Sequence, residues 1–165
     1  MSDAASAARG VLRLIGPVRT QADLMGVRRT LDRWRRLSDG LFKVFGFPVG
    51  LEILTFVPVA GGLYSLSVGA WMVLQAFRIK ASFRTKLWVL SLLFFDVVIG
   101  EVPLLGDAID LGVRAHARMA NALEREMDRT WYVPESRAET EAGGRMAFRR
   151  EEMRAAGKRR LVFLG

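Results

Sequence analysis

The sequence predicts an all-α integral membrane protein with two consecutive helical hairpins, which are broken at Pro58 and Pro103. Three observations support this class. Of the 165 residues, 51% are hydrophobic, although the formal net charge is +8. The positive charge lies outside an apolar middle, because residues 44–113 carry only four Lys or Arg against five acids. A proline followed by glycine interrupts each apolar run near its centre, where a turn is favoured.

Composition excludes several classes of function. The chain has no cysteine and a single histidine, which excludes disulfide frameworks, thiol catalysis and His-rich metal sites. Its polar, acid-containing N-terminus is unlike a cleavable signal peptide. A basic excess suits nucleic acid or an anionic membrane face, and the apolar middle favours the membrane. We therefore expect membrane lipids with anionic headgroups as partners, no nucleic acid and no cofactor.

Residues 1–19 are interpreted as an N-terminal arm and residues 20–43 as a basic amphipathic helix. Leu24, Val27 and Leu31 recur at helical spacing, and arginines occupy the intervening positions. Such a helix suits the lipid interface, with its headgroup-facing residues being Arg28, Arg29, Arg33, Trp34, Arg35 and Arg36. The alternative is a helix packed on a protein core with a solvated basic face.

Residues 44–129 are predicted to form the membrane hairpin domain. Turns are expected at Pro58, Gly61 and Gly62, and again at Pro103, Gly106 and Asp107. If each run turns back, the basic flanks at Lys43, at 78–86 and from Arg114 onward share one side, as the bias of Lys and Arg toward the cytoplasm requires. This predicts a bacterial inner-membrane protein with both termini in the cytoplasm.

The C-terminal third is predicted to be charged and mostly helical. Residues 114–129 should continue as a charged helix, with Trp131 and Tyr132 as an interfacial anchor after it. Residues 130–165 are interpreted as a basic tail that contains a linker, a helical segment and the final apolar patch Leu161–Leu164. That patch could dock on the chain's own Val11–Ile15 or on a partner.

An internal repeat accompanies the two predicted turns. Val57-Pro58 and Val102-Pro103 share the pattern V-P-x-x-G at a shift of forty-five residues. The pattern lies at the centre of each apolar run, so a duplicated helical hairpin is a reasonable hypothesis.

Ordered motifs extend over about residues 30–126. They run from Phe47-Pro48-x-Gly50-Leu51-Glu52 through Phe56-Val57-Pro58-x-x-Gly61 to Phe95-Asp96-x-x-Ile99-Gly100-x-Val102-Pro103-Leu104-Leu105-Gly106-Asp107-x-x-Asp110. This order resembles the domain of unknown function 4112 family. The resemblance implies a small helical membrane protein, with no established activity or cofactor. Two features depart from the family pattern: Gly62 replaces an acid, and residues 114–119 lack the usual Asn residues.

Acids within the apolar runs are the candidates for chemistry, because a charge in hydrocarbon is costly unless it is paired or hydrated. They are Glu52, Asp96, Glu101, Asp107 and Asp110. In one reading Asp96, Glu101, Asp107 and Asp110 form an ion or proton site. In the other, Asp107 caps a helix, Asp110 forms an ion pair with Arg114, and the others make packing contacts. Neither run contains a basic residue that could act as a relay, which favours the second reading.

The predicted function is that of a non-catalytic integral membrane protein, an accessory or scaffold subunit that packs against helices of a larger membrane complex or of its own copies. A small channel or transporter that uses Asp96, Glu101 and Asp107 is the alternative. A soluble or peripheral helical protein that buries its apolar runs in a homo-oligomer is a third possibility. No combination of residues predicts a catalytic site.

Overall fold

A computed structural model describes the backbone of residues 16–40, 58–100 and 107–165, and the side chains of residues 16–35, 66–98 and 115–165. Within these ranges the chain contains six helices and two strands. In chain order they are α1 (Gln21–Gly40), α2 (Pro58–Arg78), α3 (Phe83–Gly100), α4 (Asp107–Arg129), β1 (Thr130–Val133), α5 (Arg137–Ala142), α6 (Met146–Ala155) and β2 (Arg160–Phe163).

Helix α4 is the centre of the helical bundle, since it packs against α1, α2 and α3. Its inward residues recur at spacings of three and four and are fully or almost fully buried: Met119, Ala120, Leu123 and Met127. The apolar stripe predicted on α1 packs here, because Leu24, Val27 and Leu31 belong to the same buried cluster. The periodicity of α1 therefore serves the protein's own core.

The helical hairpin observed is formed by α2 and α3, and it turns at residues 79–82. The prediction of a turn at Pro58, Gly61 and Gly62 is wrong, because all three residues lie in the first turns of α2. Proline suits the first position of a helix, where its missing N–H would have no intrahelical acceptor in any case. Helix α3 ends at Gly100 and α4 begins at Asp107, whereas Pro103 and Gly106 lie outside the described residues.

The prediction of an integral membrane fold is contradicted as well. Among the residues that the structure describes, no helix has both the length and the apolar character needed to cross a bilayer. In α3 the apolar run is accompanied by Arg84, Lys86 and Asp96, so the helix carries three charged residues over its eighteen positions.

The all-α class is also wrong, because β1 and β2 form a two-stranded parallel sheet with Thr130 opposite Arg160 and Val133 opposite Phe163. Parallel strands need a crossover connection, and α5 and α6 provide it here. Both segments are rich in aromatic and β-branched residues, which favour strands. Trp131 and Tyr132, predicted as a lipid anchor, lie in β1, and the final apolar patch pairs with that strand.

Candidate functional site

The most unusual surface of the molecule lies on α3, which exposes an apolar side rather than a polar one. We call this surface the aromatic face; its members are 38–79% exposed and comprise Phe83, Leu87, Trp88, Leu90, Phe94, Phe95, Val97 and Val98. The opposite side of α3 packs inward through Val89 and Leu92. A surface helix in a water-soluble protein normally carries polar residues on its outer side. The outer side of α3 is therefore suited to contact with another apolar phase or surface.

The size of the aromatic face supports a role in binding. Its most exposed aromatic residues are Phe83, at 79%, and Phe94, at 65%. With roughly 200 Å² for a whole aromatic side chain, the four aromatic residues alone expose on the order of 500 Å². The largest apolar patch on a typical monomer covers about 300–600 Å² in total, and such patches are often functional. The aliphatic members of the face enlarge it further.

Positive charge accompanies this apolar surface. Within residues 66–98 the acid is Asp96, whose side chain is only 4% exposed. The basic residues of this range are the buried Arg78 and the more accessible Lys80, Arg84 and Lys86. The ammonium of Lys86 lies 4.7 Å from the centre of the Phe77 ring, in a cation–π contact. The exposed part of the hairpin is therefore apolar and cationic, with no exposed carboxylate among its described residues.

Glu126 of α4 holds the N-terminus of α3 in place. The backbone N–H of Ser82 donates to Glu126 Oε1 over 2.7 Å, and the Thr85 hydroxyl donates to Oε2 over 2.9 Å. Arg160 from β2 forms an ion pair with the same carboxylate at 2.8 Å. Burial alone would raise the pKa of Glu126, but these hydrogen bonds and the arginine outweigh it, so the pKa lies below its usual range.

Further contacts join the strand pair to the α2–α3 turn, in which Lys80 adopts a left-handed conformation with φ of 50°. Its ammonium donates to the Phe163 carbonyl over 2.6 Å, and its own carbonyl accepts from Arg160 over 2.6 Å. The Tyr132 hydroxyl donates to the carbonyl of Ile79 over 3.1 Å. These contacts, together with Glu126, fix the start of α3 and therefore the orientation of the aromatic face.

Of the predicted acids, Asp96 has the clearest position. Its carboxylate lies 3.8 Å from His116 Nε2, between α3 and α4, and both side chains are largely buried. Gly69 of α2 permits the close approach of helices here, because an added Cβ would overlap Leu93 Cδ1. Asp96 and His116 therefore lie within the helical bundle rather than on the exposed aromatic face.

The other predicted residues are only partly described. Asp107 is the first residue of α4, whereas the side chains of Asp110 and Arg114 lie outside the described residues, so their ion pair stays a prediction. Glu52 and Glu101 are also outside them. In the described part of the chain, no group of three or more His, Cys, Asp or Glu residues could hold a metal ion.

The arginines of α1 are not all free to contact lipid headgroups, because two of them form ion pairs with acids of α4. Arg28 forms an ion pair with Asp128 at 2.6 Å and Arg35 one with Glu124 at 3.2 Å, both acids being on α4. Trp34 packs on the core, with its ring centre 6.4 Å from that of Trp71. Arg29 and Arg33 are exposed, and the side chain of Arg36 is outside the described residues. This arrangement favours the alternative reading of a helix packed on the protein core.

Sequence reasoning did not identify Glu126 and Arg160 as residues that position the hairpin. Glu126 lies in a helix with several other charged residues, and Arg160 is one of many basic residues near the C-terminus. Both are recognisable only once the pairing of β1 with β2 brings the C-terminal strand to the α2–α3 turn.

Comparisons with known proteins support one assignment. The family model described as "Domain of unknown function (DUF4112)" matches residues 27–127, which is more than half of the chain. No curated protein and no solved structure matches the chain significantly. The matched region begins within α1, contains α2 and α3, and ends within α4, before the strand pair. The chain therefore belongs to the DUF4112 family.

Proposed function

We propose that this protein is a non-catalytic accessory or scaffold protein that attaches to an anionic membrane surface through the aromatic face of α3. The observation that carries the proposal is the aromatic face itself, a row of exposed apolar side chains on one side of a single helix. Tryptophan is favoured at the boundary between hydrocarbon and headgroups, and tryptophan, phenylalanine and leucine typically form the apolar side of helices that lie in this interface.

The charge of the hairpin supports an anionic lipid surface as the proposed partner. Arg84 and Lys86 lie in the first turn of α3, and no exposed carboxylate accompanies them within residues 66–98. A basic residue near an anionic bilayer contributes about 1 kcal/mol to binding. The proposed location is the cytoplasmic face of a bacterial inner membrane, where anionic lipids attract juxtamembrane cations.

This attachment does not require a helix that crosses the bilayer. A helix that lies in the interface buries its apolar side by about 5–10 Å and leaves the rest of the protein in water. Residues 83–98 of α3 extend roughly 24 Å at 1.5 Å per residue, which gives the face a long contact line in such an orientation.

Vesicle binding by the full chain tests the proposal. The double variant Leu90→Gln with Phe94→Gln removes the centre of the aromatic face, and Gln retains good helix propensity. Both side chains are more than half exposed, so folding should be unaffected. If about half of their exposed area enters hydrocarbon, the change costs roughly 2 kcal/mol, or a fall of about 30-fold in partition onto vesicles.

The matched control is Met25→Gln with Phe148→Gln, which removes two equally exposed apolar side chains from α1 and α6. We expect this control to bind vesicles as the unchanged protein does. Equal binding by both double variants would contradict the proposal, as would an unchanged protein that stays in the supernatant. If the aromatic variant instead altered only the oligomeric state, measured by light scattering, the partner would be a second copy of the chain.

The small channel or transporter remains the alternative function, and none of the described contacts favours it. Its candidate residue Asp96 faces His116 inside the bundle, which agrees with a packing role. A liposome flux assay tests this alternative directly. Ion flux through the unchanged protein that is absent with Asp96→Asn would support it.

A further inference from the structure

The outward side of α4 carries a line of exposed arginines that is separate from the aromatic face of α3. Arg118, Arg125 and Arg129 are all exposed, and their spacings of seven and four residues place them on one side of the helix. We call them the arginine stripe. It is roughly 16 Å long at 1.5 Å per residue. No described side chain forms an ion pair or hydrogen bond with these guanidinium groups.

The acids of α4 do not neutralise the stripe. Glu124 and Asp128 point toward α1, where they form ion pairs with Arg35 and Arg28. Glu126 points toward α3 and pairs with Arg160. The outward side of α4 between these two flanks therefore keeps its positive charge.

The arginine stripe runs beside the aromatic face. Helices α3 and α4 are antiparallel neighbours, because Glu126 contacts Ser82 at one end and His116 contacts Asp96 at the other. Lys86 lies over Phe77, so that edge of α3 is toward α2. By helical spacing, the opposite edge carries Arg84, Trp88 and Phe95 and borders α4.

We propose that the arginine stripe binds the phosphate groups of anionic phospholipids while the aromatic face beside it enters the acyl region. This inference rests on the proposed function and names the lipid chemistry that it selects. The guanidinium group is well suited to phosphate, since its planar fork donates two parallel hydrogen bonds. Trp88 and Phe95, both more than half exposed, border the stripe and favour lipid over a nucleic acid duplex, which would leave them against water.

The test compares the stripe variant, Arg118→Gln with Arg125→Gln and Arg129→Gln, with a control of equal charge. The control, Arg29→Gln with Arg33→Gln and Arg150→Gln, removes three exposed arginines from α1 and α6. Each full-length protein is sedimented with vesicles of phosphatidylcholine alone and with vesicles that also contain phosphatidylglycerol. Circular dichroism checks that all variants are folded.

On the mixed vesicles we expect the stripe variant to bind about 100-fold more weakly than the unchanged protein at low salt, and the control to lose only a few-fold. On phosphatidylcholine alone the stripe variant should bind as the unchanged protein does, because the aromatic face is intact. Equal losses in the two triple variants would overturn the stripe and show a response to net charge alone.

The outcomes separate this inference from the proposed function. If the unchanged protein binds vesicles through the aromatic face and the stripe variant binds equally well, the stripe fails while the proposed function stands. If the unchanged protein binds no vesicles, the proposed function fails and the inference fails with it. The lipid assignment would be overturned if the unchanged protein bound a duplex DNA probe but no vesicles, and if DNA binding weakened in the stripe variant but not in the control.

Discussion

Replacement of Glu126 by Gln should loosen the connection between the hairpin and the rest of the molecule. Its carboxylate accepts from the Ser82 N–H and the Thr85 hydroxyl and pairs with Arg160. The glutamine amide retains a single acceptor oxygen, so at least one of these hydrogen bonds and the ion pair are lost. We expect a fold that is intact but less stable.

The size of the expected stability loss follows from how deeply the Glu126–Arg160 ion pair is buried. Breaking a fully buried ion pair by changing one partner costs about 3–5 kcal/mol. Here the Glu126 side chain is 10% exposed and that of Arg160 33% exposed, so solvent screens part of the interaction. With the remaining acceptor of Gln taken into account, we expect a loss of about 2 kcal/mol in the free energy of unfolding.

Urea unfolding followed by circular dichroism measures this loss. With a slope of about 2 kcal/mol per M, the midpoint should fall by roughly 1 M. Glu151→Gln is the matched control, since Glu151 is an exposed residue of α6, and its midpoint should remain unchanged. A Glu126→Gln midpoint equal to that of the control would refute the reasoning that this carboxylate holds α3 in place.

Three further predictions follow from the same geometry. The stability difference between the unchanged protein and Glu126→Gln should be present at neutral pH and shrink as the pH falls below about 4.3, the usual pKa of a glutamate. The reason is that the pKa of Glu126 is lowered in the folded state, so protonation removes its contribution to stability. Urea midpoints across the pH range test this, and a constant difference would contradict it. Burial raises the pKa of Tyr132 to about 12, so an absorbance titration that compares the unchanged protein with Tyr132→Phe should show no ionisation of this residue near pH 10 in the folded state. The contribution of the raised pKa to stability should be complete below about pH 10, the usual pKa of a tyrosine, and decline above it. Gly69→Val should lower the free energy of unfolding by about 2 kcal/mol, because the added side chain would overlap that of Leu93 and displace it. An unchanged midpoint in thermal or urea unfolding would show that the Leu93 side chain moves aside without cost.

Helix α1 spans the segment whose apolar residues recur at helical spacing, because those positions face the protein's own core. In α1, Leu24, Val27 and Leu31 recur at helical spacing and are buried. The same periodicity could not show whether these apolar residues of α1 would contact lipid or the protein's own core. The assignment of α1 to the lipid interface relied on the neighbouring arginines. Two of these, Arg28 and Arg35, form ion pairs with Asp128 and Glu124, which lie 100 and 89 residues further along the chain.

The strand pair could not be predicted from local pattern alone. Residues 130–133 and 160–163 are short and separated by two helices, so their pairing depends on contacts that no local window contains. Pro58 illustrates a different error, since a proline can break a helix or begin one, and the following Gly61 and Gly62 favoured the wrong choice. The aromatic residues of α3 were visible in the sequence, but their common exposure depends on how α3 packs against α2 and α4.

Environment-sensitive labelling tests the central claim that the aromatic face contacts lipid. The chain has no cysteine, so a single Phe94→Cys substitution on α3 and, separately, Phe148→Cys on α6 each provide one site for a fluorophore whose emission rises and shifts to the blue in apolar surroundings. On addition of anionic vesicles, the label at position 94 should brighten and shift, whereas the label at position 148 should not. Equal responses at the two positions, or no response at position 94, would contradict the account.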